Sequence, residues 1–174
     1  MFALLRAGFI AALFAFSSIS ANAADKPFQR DDLADGAIRL EAQIKKDAGS
    51  VAKPLATLRR EADAAFQRND VRGGMQLLGQ IVAVVPQDVA NWLRLARTIL
   101  QIRPADERER MTLLERASTA AYIAYQRAGS RNEEADALVL LGRTFADRRL
   151  WRPALDTLRL SLDLREVADV RAAY

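Results

Sequence analysis

The chain has 174 residues, with 26 basic against 22 acidic side chains and neither histidine nor cysteine. That composition excludes Ser-His-Asp and Cys-His catalysis, thiol redox chemistry, disulfides and ordinary zinc sites, so the fold must rest on packing alone. The near balance of charge speaks against a nucleic-acid partner, which needs basic residues gathered on one face.

The first 23 residues read as a leader. Arg6 is the only charge before Asp25, an apolar run extends from Ala7 to Phe16, and Ala21-Asn22-Ala23 supplies the small-x-small pattern of a signal peptidase site. The run is short of the roughly 20 apolar residues that span a bilayer, and no cysteine follows it to carry a lipid. The expectation is a signal peptide over 1–23, a mature chain beginning at Ala24, a periplasmic location and no stable membrane insertion after cleavage.

Next comes a polar start and one helix from Asp31 to Asp47, with Leu33, Ala37, Leu40 and Ile44 on a face and Gly49 beyond its end. With the linker-like Gly49-Ser50 and Lys53-Pro54, residues 24–53 read as an N-terminal capping helix and linker, and 54–174 as the main domain. There the spacing predicts a helix over 55–68, ended by Asn69-Asp70, and another over 71–85, stopped by Pro86. Asp88 caps a helix bearing Trp92 that closes at Arg103-Pro104. Asp106 and Glu109 open a long helix ending at Gly129, and Ser130 with Glu133 repeats the capping device for the next. Trp151 falls in the following turn, and Pro153 begins the last helix. Sustained alternation of the strand type is absent, so the predicted fold is all-α.

These helices carry one faint pattern in three copies. Leu58 and Trp92 lie 34 residues apart, the period of a tetratricopeptide helix-turn-helix repeat. The first-helix signature is met by Trp92, Leu95, Ala96 and Ile99, and again by Leu138, Leu141, Gly142 and Phe145. The second-helix signature is met by Gly74, Leu78, Ile81 and Pro86, and by Ala154, Leu158 and Ser161 with Glu166 in place of the proline. The first copy is weaker, with Glu61 and Ala65 at large apolar positions. From Trp92 to Leu138 is 46 residues, twelve more than the period. The surplus falls in the charged turn from Pro104 to Arg110 and in a lengthened second helix. Such an insertion in a solenoid is either a contact surface or simply more core. A short helical solenoid of this kind holds other proteins; it names no reaction.

The surface expected to bind is the groove of the stacked first helices: Arg59, Asp63 and Phe66 in the first copy, Leu93, Arg97 and Leu100 in the second, Val139 and Arg143 in the third, with Trp151 as an exposed contact. Arg97 and Arg143 occupy equivalent places. Either they grip carboxylates of a protein partner by forked hydrogen bonds, or they pair with acids such as Asp63 and Asp136. No catalytic residue, metal or cofactor is expected; Gly73-Gly74 lacks the rest of a phosphate loop. A rival reading is a hydrolase of cell-envelope polymer using paired carboxylates among Glu133, Glu134 and Asp136, although such residues ordinarily serve a helix start. A third is a spacer without a ligand.

Four stretches, Ala23 to Leu33, Asn91 to Ala96, Glu115 to Tyr122 and Leu150 to Leu155, resemble the N-terminal region of very large bacterial alpha-2-macroglobulin-like proteins. Such proteins are periplasmic protease traps, in many members armed with a Cys-Gln thioester. This chain has no cysteine and none of the β-sandwich domains of that family. The resemblance therefore implies a helical leader module that packs on, or recruits partners to, the remainder of a larger polypeptide, and a chain that ends as a fragment.

Overall fold

The computed structural model describes residues 26–49 and 53–172, with side chains through Arg165; the expected signal peptide and its cleavage site lie outside the described residues. Among them the chain forms α1 (Asp31–Ala48), α2 (Leu55–Gln67), α3 (Val71–Val84), α4 (Val89–Gln101), α5 (Glu107–Arg127), α6 (Arg131–Asp147) and α7 (Trp151–Ala172), with no strand. The protein is all-α. No helix among the described residues is long and apolar enough to cross a membrane.

The helix starts are fixed by side chains that accept otherwise unpaired backbone N–H groups. Asp70 accepts from Gly73 N–H at 2.9 Å, Asp88 from Asn91 at 3.3 Å and Asp106 from Glu109 at 2.7 Å. At α6 the Ser130 hydroxyl accepts from Glu133 N–H while the Glu133 carboxylate accepts from Ser130 N–H, a complete capping box. At α5 the reciprocal half is displaced by one residue, since Glu109 accepts from Ala105 N–H at 2.6 Å. Trp151, expected in a turn, is the first residue of α7.

Each helix packs on its successor from α2 through α7, and α4 also touches α6. The apolar positions of the 34-residue pattern are the core: Leu58, Ala62, Leu78, Ile81, Trp92, Ala96, Ile99, Leu138, Leu141 and Phe145 are all essentially inaccessible to solvent. Close approach is built on two glycines. A methyl on Gly142 would lie 2.6 Å from Leu158 Cγ, and one on Gly74 would overlap the Phe66 ring.

Two turns have the same conformation eighty residues apart. After α2, Asn69 adopts φ 59°, with Asn69 N–H donating to Phe66 O and Asp70 N–H to Ala65 O. After α6, Arg149 adopts φ 60°, with Arg149 N–H donating to Ala146 O and Leu150 N–H to Phe145 O. The same offset relates Leu58 to Leu138 and Gly74 to Ala154 in the sequence pattern.

The helix α1 packs on elements distant in sequence. It lies across α3 and α5, burying Leu33, Leu40 and Ile44. It crosses α5 at Gly36, where a side chain would come within 3.1 Å of Thr119 Oγ1. Glu41 on α1 pairs with Arg127 of α5 at 2.6 Å, and that guanidinium also stacks 5.2 Å from the Trp92 ring. Burial pulls the Arg127 guanidinium below its ordinary pKa, and Glu41 opposes the shift.

The segment before α1 is anchored by a buried cation. Lys26 Nζ donates to Tyr125 O at 2.8 Å, to Ala128 O at 2.9 Å and to the Glu134 carboxylate at 2.8 Å. It thereby satisfies carbonyls at the C-terminal end of α5, where a positive charge is favoured. Phe28 follows into a cluster with Tyr122, Tyr125 and Phe145, its N–H donating to the Tyr125 hydroxyl at 3.1 Å.

Candidate functional site

The residues expected to line a groove divide into those spent on internal contacts and those left free. Arg59 is exposed and pairs with Asp88 at 3.4 Å. Asp63 accepts from Arg94 at 2.5 Å, and the same guanidinium covers the half-buried Phe66 ring at 4.8 Å. Arg94 therefore occupies the position at which Asp63 and Phe66 would have met a partner. Leu93 is a clear correction: it is 5% exposed and belongs to the core, because α4 is packed on by α3, α5 and α6 together and buries an arc wider than one stripe.

Arg97 on α4 and Arg143 on α6 are exposed, and neither side chain pairs with another described residue. The acids that offered them internal partners are taken, Asp63 by Arg94 and Asp136 by Arg165 at 2.7 Å. Arg143 and Leu100 come together at a cavity of about 210 Å³ between α4, α5 and α6, walled also by Ile102, Pro104, Leu113 and Leu114. Val139, one turn earlier on α6, is exposed. Trp151, 67% exposed, flanks a shallow depression with Met111, Arg148 and Arg149. Arg110 and Asp147 border both hollows, so Leu100, Arg143 and Trp151 share one continuous face.

The electrostatics of that face are set by pairing. Arg110 makes a forked contact with Glu107, and this hydrogen bond holds the Glu107 carboxyl below its usual pKa and raises the guanidinium. Glu109 is lowered by Ala105 N–H first and by Arg72 second. The acids weighed for hydrolysis are likewise engaged: Glu133 in the capping box, Glu134 on Lys26 and Asp136 on Arg165. Among the described residues no group of three or more acidic side chains is arranged to hold a metal ion.

Residue reading missed Arg94, Arg110 and Asp147. Arg110 had a visible signal, since it ends the charged insertion from Pro104. Arg94 had none, because whether Arg94 or Arg97 meets the preceding helix depends on the rotation of α4. Comparison with known proteins finds no matching family model, no matching curated protein and no matching solved structure.

Proposed function

We propose that this chain is an exported, periplasmic scaffold of tetratricopeptide-like repeats that binds a protein partner or the remainder of a larger polypeptide, without catalysis. The buried pattern positions and the two matching turns support the repeat reading. The observation that carries the binding reading is the pair Arg97 and Arg143: two exposed guanidinium groups on touching helices, neither paired with a described residue. Beside Arg143 lies an apolar hollow able to take a side chain of an acidic segment. The alpha-2-macroglobulin resemblance would make that partner the body of a protease trap, with this chain as its leader module.

The test is capture from a periplasmic extract followed by titration of the captured protein. Arg97→Ala and Arg143→Ala should each weaken association by about 1–3 kcal/mol, more salt should weaken it further, and the fold should remain intact. Undiminished binding by both variants overturns the groove, and capture of nothing favours the spacer. Cleavage of envelope polymer that is lost in Glu133→Gln and Glu134→Gln would revive the hydrolase.

A further inference from the structure

A second hollow, of about 390 Å³, opens where α1 bridges α3 and α5. Its floor is apolar, made by Leu40 and Ile44 of α1 and by Leu95 and Ile99 of α4. Its α3 wall is Met75, Gln76, Gly79 and Gln80, and Arg116 of α5 stands at its edge. A cleft of this size, with an apolar floor and polar groups around it, can take a small molecule.

Two observations point to an occupant. Gly79 is a glycine inside a helix, a position where alanine is the more stable residue. Packing does not require it, since a side chain added there would meet nothing within 4 Å. What its bareness does is keep the α3 wall of the hollow clear. Secondly, the polar groups at the mouth are free: the side chains of Gln76, Gln80 and Arg116 make no hydrogen bond or ion pair with another described residue. The one acid at the mouth, Asp47, accepts from Gln43 at 2.6 Å.

We infer that this hollow binds a small amphiphilic monocarboxylate, an acyl or arylalkyl acid. Its apolar body lies over Leu40, Ile44, Leu95 and Ile99, and its carboxylate is held by Arg116 with an amide of Gln76 or Gln80 donating beside it. A guanidinium suits the planar anion, and the cleft lacks any second cation for a dianion. Neither Arg97 nor Arg143 lines this hollow, and the site does not depend on the binding proposed for them.

Decanoate is the probe, titrated into the purified chain by calorimetry with the methyl signals of Ile44, Met75 and Ile99 followed by NMR, and decanol as the uncharged control. Saturable decanoate binding that shifts those methyls, with decanol at least ten-fold weaker, is the expected result. Gly79→Leu should fill the hollow and abolish binding while folding at least as stably as the parent. Arg116→Gln, at a position outside the core, should weaken decanoate ten-fold or more and erase its advantage over decanol. No saturable binding below the concentration at which decanoate forms micelles overturns the inference, as does equal affinity in the Gly79→Leu or Arg116→Gln chain.

Discussion

Lys26→Met removes one positive charge and keeps the apolar stem of the side chain. Lys26 Nζ makes three contacts within 2.9 Å, two with carbonyls at the end of α5 and one with Glu134. Its side chain is 6% exposed, whereas Glu134 is 20% exposed and can recover water. A fully buried ion pair losing one partner costs about 3–5 kcal/mol, so the hydration open to Glu134 lowers the expected cost to about 2–3 kcal/mol. For a domain of this size that is a fall in Tm of about 5–10 °C. Thermal unfolding followed by circular dichroism measures it, and Glu134→Gln completes a double-mutant cycle with an expected coupling of about 1–2 kcal/mol. A Lys26→Met chain within about 0.5 kcal/mol of the parent would refute the reasoning, because the three contacts would then do no more than replace hydration.

Gly142→Leu should cost about 1–3 kcal/mol by forcing Leu158 and Thr157 aside, and Trp92→Ala about 3–5 kcal/mol from an interior cavity; denaturant unfolding that shows both near neutral would contradict the observed packing. Arg149→Gly should stabilise by about 0.5–1 kcal/mol, since φ 60° strains an arginine and suits glycine, and a fall in midpoint would show that the arginine side chain holds the turn. Burial pushes the Tyr125 phenol up to about 12 and raises Tyr122 as well, so the neutral forms favour the fold. Stability from these groups should be full below about pH 10, the unfolded value, and fall as pH rises toward 12; phenolate absorbance showing both rings ionising near 10 in folded protein would refute it.

The helices were legible because their ends are written locally. Asp70, Asp88, Asp106 and Ser130 each stand one residue before a helix and accept its N–H groups. What stayed hidden depends on contacts between distant segments. Lys26 finds its carbonyls about a hundred residues away, and nothing around Lys26-Pro27 encodes them. The lie of α1 across α3 and α5 had a single faint sign, the small Gly36 on an otherwise ordinary amphipathic helix. Leu93 was misplaced because one apolar stripe was assumed for α4, whereas three neighbours bury a wider arc. Three of the nine candidate groove residues, Arg59, Asp63 and Phe66, are already paired or covered by neighbouring side chains.

On the proposed repeat reading, the insertion accounts for where the free surface lies. Turns eighty residues apart share their φ values and hydrogen bonds; if they close the first and third units of the proposed repeat, the twelve surplus residues are absorbed between them. The chain absorbs them in the turn through Pro104 and in the length of α5, and both contribute to the hollow beside Arg143. Arg59 and Arg94 tie neighbouring elements of the regular first junction together by ion pairs. At the second junction Arg110 pairs with Glu107 on its own helix and donates to Asp147 O of α6 at 3.1 Å, while Arg143 has no hydrogen-bond or ion-pair partner among the described residues. On the proposed reading, the departure from the 34-residue period is what converts a self-paired scaffold face into one with an unspent cation beside an apolar hollow. Shortening that turn should therefore remove the partner's site while leaving the first junction unchanged.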